Sequence, residues 1–175
     1  SRMPTYPTLS VVKAVLQKHS LAPSKRLGQN FLIDANIARK SLEMAAIQLG
    51  DTVVEIGPGL GALTQLLLDC GCEVYAIEKD AGLYRYLEED LLPRFREHLN
   101  LVHGDALDEP LATLVDPKTD FKIVANLPYA ISTPWLDTVL SGSLPSRMVL
   151  MLQTEAAHRF AATPGTGNYG PISLF

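Results

Sequence analysis

A doubly wound α/β fold with a mostly parallel sheet is what this sequence predicts, and three observations predict it. Short β-branched or apolar runs alternate with leucine-periodic stretches. A glycine turn, Gly57-Pro-Gly-Leu-Gly61, joins the first such run to the stretch after it. Acidic residues, Glu78 and Asp105, close the next two runs, as expected where an open sheet binds a ligand at its strand ends.

Each element has its own signal. Leu9, Val12, Val15 and Leu16 recur at helical spacing, predicting a short amphipathic helix over 9–19. A basic, turn-rich stretch, 22–32, follows. Asp34 suits the N-cap of a helix over 35–49, with Ala38, Leu42, Ala45 and Leu49 on one face, ended by Gly50 and Asp51. Thr52–Ile56 then reads as a strand, Gly61–Cys70 as a helix and Glu73–Ile77 as a second strand. A helix around 80–91 turns Leu83, Leu87 and Leu91 inward. Leu99–His103 and Phe121–Ala125 are strands three and four, a helix follows Pro134, and Arg147–Leu152 is an apolar fifth strand. Strands separated by helices require right-handed crossovers, hence a parallel sheet covered on both faces. Residues 162–171, rich in Thr, Pro and Gly, read as a mobile loop, and Ile172–Phe175 as the start of a further strand whose sheet is left incomplete.

The 175 residues suit one catalytic domain over 51–175, with a basic arm and helices over 1–50 packing on it. No apolar run approaches a membrane span, and no apolar stretch near the N-terminus leads to a small-residue cleavage site. Cys70 and Cys72, two apart, suit neither a disulfide nor a metal site, so a reduced, cytoplasmic protein is expected. Nor do His98, His103 and His158 share metal-ligand spacing. Net charge is −4, but residues 1–40 hold seven basic side chains against one acidic, while the remainder holds eight against eighteen. A basic arm on an acidic body can contact phosphates, which respond to local rather than net charge.

The glycine turn points to a nucleoside cofactor. Glycines let the backbone turn sharply and approach a ligand closely, and Glu78, 21 residues after Gly57, can accept hydrogen bonds from both hydroxyls of a ribose. Gly57-x-Gly59-x-x-Ala62 also satisfies the dinucleotide pattern, so from this segment an NAD enzyme and a methyltransferase both remain open. Asn126-Leu-Pro-Tyr129, after the fourth strand, favours the second. The lone pair of an adenine amine is delocalised into its ring, so methylating it calls for neutral acceptors at the amino hydrogens. The Asn126 amide oxygen and the Leu127 carbonyl, held by the fixed φ of Pro128, are candidates, and Tyr129 is placed to stack on an extruded base. Trp135 is read as packing, and Glu155 with Arg159 as a surface pair if helix continues there.

Leu27-Gly-Gln-Asn-Phe-Leu32, Glu55-Ile-Gly-Pro-Gly-Leu-Gly61, Ala76-Ile-Glu-Lys-Asp80, Gly104-Asp-Ala106, Asn126-Leu-Pro-Tyr129 and Gln153-Thr-Glu-Ala156 occur in one order. Over about residues 9–175 that order resembles the KsgA-type small-subunit ribosomal RNA adenine dimethyltransferases. The resemblance implies S-adenosylmethionine as cofactor, contacted by Asn30, Leu32, Gly57, Glu78, Asp105 and Asn126, with Asp105 near its adenine. Gln29, Glu55, Gly59 and Ala106 fall in the same matched motifs and join the expected cofactor set. It implies N6-dimethylation of two adjacent adenosines near the 3′ end of the RNA in immature small subunits, by a monomer without metal or membrane contact. Ala130 stands where the family commonly has Asn, and Thr154 where it usually has Lys. A C-terminal helical RNA-binding domain, which the family carries beyond this point, is expected to be absent. An antibiotic-resistance branch acting on large-subunit RNA resembles the chain too, but Pro58, Leu60 and Leu127 favour the small-subunit enzymes. A binding factor that keeps the fold without an essential methylation role is the alternative of another class.

Overall fold

A computed structural model of the protein describes residues 35–114, 117–153, 158–164 and 173–174. The expected helix over 9–19, the Asp34 cap, and Gln29, Asn30 and Leu32 lie outside the described residues. Helix α1 spans Ala35–Met44, β1 Thr52–Ile56, α2 Ala62–Asp69, β2 Glu73–Glu78 and α3 Ala81–Asp90. Then come β3 Leu99–His103, β4 Lys122–Pro128, α4 Tyr129–Leu140, β5 Arg147–Gln153, β6 His158–Pro164 and β7 Ser173–Leu174. One sheet orders them β3-β2-β1-β4-β5-β6-β7. The strands from β3 to β5 pair in parallel, while β6 and β7 join antiparallel. The fold is the Rossmann-like, mostly parallel α/β sheet that the alternating pattern predicts.

Alternation along the strands sorts the core into two layers. Val53, Val74, Ala76, Val124 and Val149 face α1, α2 and α3 through Ala38, Leu63, Leu67 and Leu87. Val54, Ile56, Ile123, Ala125 and Leu150 face α4 through Trp135 and Val139. Each fully buried aliphatic side chain contributes about 1.5–3 kcal/mol. Cations at the start of two strands fasten α1 to this sheet. Lys122 Nζ donates to the Ala46 carbonyl at 2.6 Å and pairs with Asp51 Oδ2 at 2.8 Å, and Arg147 donates to the Met44 carbonyl at 3.3 Å. Positive side chains there satisfy carbonyls that a helix C-terminus leaves without partners.

Four expectations need correction. The helix expected over 35–49 stops at Met44, because Ala46 turns left-handed (φ 51°). Ala46 N–H then donates to Glu43 O and Ile47 N–H to Leu42 O, the paired bonds of a Schellman cap. The chain leaves the helix direction there, so Leu49, read as inward, is 85% exposed. The helix expected after Pro134 starts five residues earlier, at Tyr129, and carries Pro134 inside it. Ala162–Pro164, read as loop, belong to β6, because antiparallel pairing with β5 supplies their backbone partners. Arg159 lies on that strand, opposite Leu152, rather than on a helix, and Glu155 lies outside the described residues. Ser173–Leu174 do pair, with Ala161 and Ala162.

Candidate nucleoside-cofactor site

In open α/β sheets the strand order reverses between two strands, and the crevice forms outside their carboxyl ends. Here the reversal falls between β1 and β4, and a cleft of about 570 Å³ opens at the ends of β1, β2 and β4. Gly57, Gly59, Glu78, Asp105, Ala106, Asn126, Leu127 and Pro128 line it. Eight of the residues singled out in the sequence therefore meet in one cavity, from four separate segments.

The glycines divide the work of the turn. Gly57, Gly59 and Gly61 all have left-handed φ (72°, 60° and 82°), which only glycine adopts readily. Gly57 and Gly59 border the cleft, whereas a Cβ on Gly61 would stand 2.9 Å from both Leu87 and Leu91. Gly61 thus lets α2 pack closely on α3.

Glu78 is nearly buried (6% exposed) at the end of β2. Its Oε1 accepts the Gly59 N–H at 3.0 Å and its Oε2 the Asp80 N–H at 2.9 Å. A carboxylate offers about four lone-pair directions, so each oxygen retains capacity for a ligand hydroxyl. Burial pushes this carboxyl above its ordinary value, and the backbone N–H groups of Asp80, Gly59 and Lys79 oppose that rise. Asp80 continues the construction by capping α3, its side chain accepting the Leu83 N–H at 2.9 Å.

Asp105 follows β3. Its Oδ1 accepts the Leu107 N–H at 2.9 Å, and its Oδ2 lies 3.3 Å from Lys79 Nζ. The Leu107 N–H, with Lys79 assisting, holds its carboxyl below the ordinary carboxylate value. Asp105 is thus an ionised acceptor at the cleft. Asn126, read as following the fourth strand, lies within β4 opposite Met151 and is 7% exposed, and Pro128 (φ −57°, ψ 140°), the last residue of that strand, leads directly into α4. Tyr129, the first residue of that helix, is 67% exposed and sits between Pro128 and Ala130, which both line the cleft.

Glu55, expected among the cofactor contacts, is not on the cleft. Its neighbour Ile56 lines the cavity, while Glu55 is buried (3% exposed) and accepts a hydrogen bond from Thr64 Oγ1 at 2.5 Å. Burial, with the Glu78 charge adding to it, pushes its carboxyl up to about 8. Residues that the sequence did not single out for the site also line it: Lys79, Leu83, Ala130 and Ile131. Lys79 was legible in principle, as a cation beside a site acid. The helical residues depend on where α3 and α4 begin. Among the described residues no group of three or more His, Cys, Asp or Glu could hold a metal ion, and no helix is long and apolar enough to cross a membrane.

A parallel sheet with a glycine turn after β1, a buried acid ending β2 and an uncharged Asn-Leu-Pro segment ending β4 defines a domain of the Rossmann-like methyltransferase class. Within that class, the chain belongs to the ribosomal RNA adenine dimethylase family, whose model matches residues 22–175. It is 54% identical over 174 residues to a ribosomal RNA small subunit methyltransferase A of Opitutus terrae, covering 99% of this chain and 62% of that protein. The chain therefore spans about three-fifths of that relative's length. Among solved structures it is similar to a dimethyladenosine transferase from Plasmodium falciparum (TM-score 0.58, 33% identity, 70% of this chain and 43% of that one). It is also similar to the 23S rRNA methyltransferase ErmE (TM-score 0.58, 28% identity, 70% and 48%).

Proposed function

We propose that this protein methylates adenine in small-subunit ribosomal RNA, using S-adenosylmethionine as the methyl donor. In the fuller reading, the targets are the N6 amines of two adjacent adenosines near the 3′ end of the RNA in immature subunits. One observation carries this: the Asn126–Pro128 end of β4 opens onto the same cleft as Gly57, Gly59 and Glu78. An acceptor set for an amine and a binding site for a nucleoside are thereby adjacent.

The residues fit the cofactor. Gly57 and Gly59 leave room for backbone approach, Glu78 keeps acceptor capacity for two ribose hydroxyls, and ionised Asp105 can accept from an adenine amino group. Ala106 borders the same end of the cavity. Gln29, Asn30 and Leu32 would complete the set from the N-terminal arm. When bound, S-adenosylmethionine supplies an activated sulfonium methyl, so the chain needs no metal or covalent nucleophile of its own for this transfer.

What the chain supplies is orientation and acceptors. The Asn126 amide oxygen and the Leu127 carbonyl accept hydrogen bonds from the amino group as its nitrogen becomes tetrahedral, and Pro128 holds that carbonyl in place. Tyr129, exposed beside the cleft, stacks on the extruded base. Such preorganised dipoles act where charge develops and cost little reorganisation. The higher identity to the small-subunit enzyme (54%) than to the 23S enzyme (28%) supports the small-subunit target over the large.

Calorimetry with S-adenosylmethionine, S-adenosylhomocysteine and NAD, run side by side, tests the reading. Micromolar binding of the first two and none of NAD is expected. Binding of NAD alone overturns it.

A further inference from the structure

Glu55 belongs to the glycine-turn motif yet faces away from the cleft, which leaves its position in the motif without a purpose. The geometry points to Glu55 and Thr64 as a positioning pair: their side-chain hydrogen bond ties α2 back to β1 and holds the turn between them in the shape that presents Gly57 and Gly59 to the ligand. The inference rests on the proposed use of this cleft for S-adenosylmethionine.

The turn needs such a tie. Its three left-handed glycines lose more backbone freedom on ordering than any other residues would, so each link that fixes them counts. Backbone bonds fix parts of it. Gly57 N–H donates to Ile77 O at 3.0 Å, and Gly61 N–H to Pro58 O at 2.9 Å. Glu78 holds the Gly59 N–H from the side of β2. The start of α2 itself has no side-chain cap, because Gly61 occupies the N-cap. Thr64, in the first turn of that helix, takes over the anchoring by donating to Glu55.

Both partners are buried, Thr64 at 1% exposure and Glu55 at 3%, and neither lines the cleft. A carboxyl is a costly residue to bury for packing alone, since an apolar side chain of similar size would not require a partner. Burial also favours its neutral form, which spares Glu78 a second negative charge nearby. Glu55 therefore acts on the cofactor through the backbone, without touching it.

The pair is separable from the fold by near-isosteric changes. Thr64→Val removes the hydroxyl and keeps the shape, Thr64→Ser restores the hydroxyl, and Glu55→Gln keeps an oxygen that accepts from Thr64. S-adenosylhomocysteine affinity is measured by calorimetry and Tm by thermal melting. Thr64→Val is expected to bind about tenfold more weakly, the effect of one lost buried hydrogen bond, with Tm within about 4 °C of wild type. Thr64→Ser and Glu55→Gln are expected within about threefold of wild-type affinity. Wild-type affinity in Thr64→Val overturns the inference, as does a loss in Thr64→Ser equal to that in Thr64→Val. Failure of the wild-type protein itself to bind would instead remove the proposed use of the cleft.

Discussion

A Cβ placed on Gly57 would stand 2.5 Å from the backbone carbonyl oxygen of Asn126, so the turn after β1 packs against the carboxyl end of β4. That distance is shorter than any carbon–oxygen contact, and the obstacle is backbone, which cannot rotate away. Gly57 also has φ 72°, so a side chain there would be strained as well as crowded. Gly57→Ala should therefore push apart the two halves of the site, lowering S-adenosylhomocysteine affinity at least tenfold and stability by about 2 kcal/mol or more. Gly50→Ala is the control. It has φ 81° with nothing within 4 Å of the added carbon, so it should cost about 1 kcal/mol in denaturant titration and leave affinity unchanged.

Stability should depend on pH through Glu55. Its carboxyl titrates near 8 in the folded protein against an ordinary value of 4.5. Between those values the folded chain retains a proton that the unfolded chain has released. The contribution is thus fully present below about pH 4.5 and is lost as pH rises towards 8. One such proton gives a slope of about −1.4 kcal/mol per pH unit within the window. Glu78, also raised by burial, adds a slope of the same sign. Urea unfolding at pH 5, 6, 7 and 8 should show stability falling in the wild type and falling less in Glu55→Gln. Equal slopes in both proteins would count against a buried, neutral Glu55.

Asn126 and Tyr129 should separate turnover from RNA affinity. Asn126→Ala removes an oriented acceptor and should slow single-turnover methyl transfer by roughly 100-fold to 1,000-fold, or about 3–4 kcal/mol. Tyr129→Ala removes a stacking platform worth about 1–3 kcal/mol per base. Its effect should appear mainly as weaker saturation by RNA. A Tyr129→Ala protein that saturates with RNA as the wild type does would exclude stacking as its role.

Trp135 should prove structural. Its ring is fully buried in the layer beneath α4, and Nε1 donates to the Pro110 carbonyl at 3.1 Å. Trp135→Ala should cost about 3–5 kcal/mol by cavity formation. Trp135→Phe fills most of the space but strands the Pro110 carbonyl, costing about 1–3 kcal/mol. Chemical denaturation of both variants checks the order.

The strands were the most legible part of the sequence. Thr52–Ile56 and Leu99–His103 are bounded as their apolar runs predict, because Asp51 and Gly57 bracket one and a turn and Gly104 bracket the other. The start of α4 was not legible. Pro134 reads as a first helical residue, since its missing N–H costs nothing there. In the fold the helix begins at Tyr129 and carries Pro134 through, with Trp135 and Val139 burying its face. Packing outweighs one lost backbone bond. Leu49 misled for the converse reason. Periodicity placed it on the buried face of a helix that a left-handed Ala46 had already ended.

What the sequence determined by itself is the order of elements, the glycine turn and the chemistry on offer at each strand end, because these depend on neighbours a few residues apart. What only the tertiary structure decided is which of those groups meet. Glu55 and Glu78 occupy comparable places in their motifs, yet one is turned beneath the turn towards Thr64 and the other opens on the cleft. Strand alternation and the crossing of α2 over the sheet make that choice, and both are fixed by burial of residues distant in the chain.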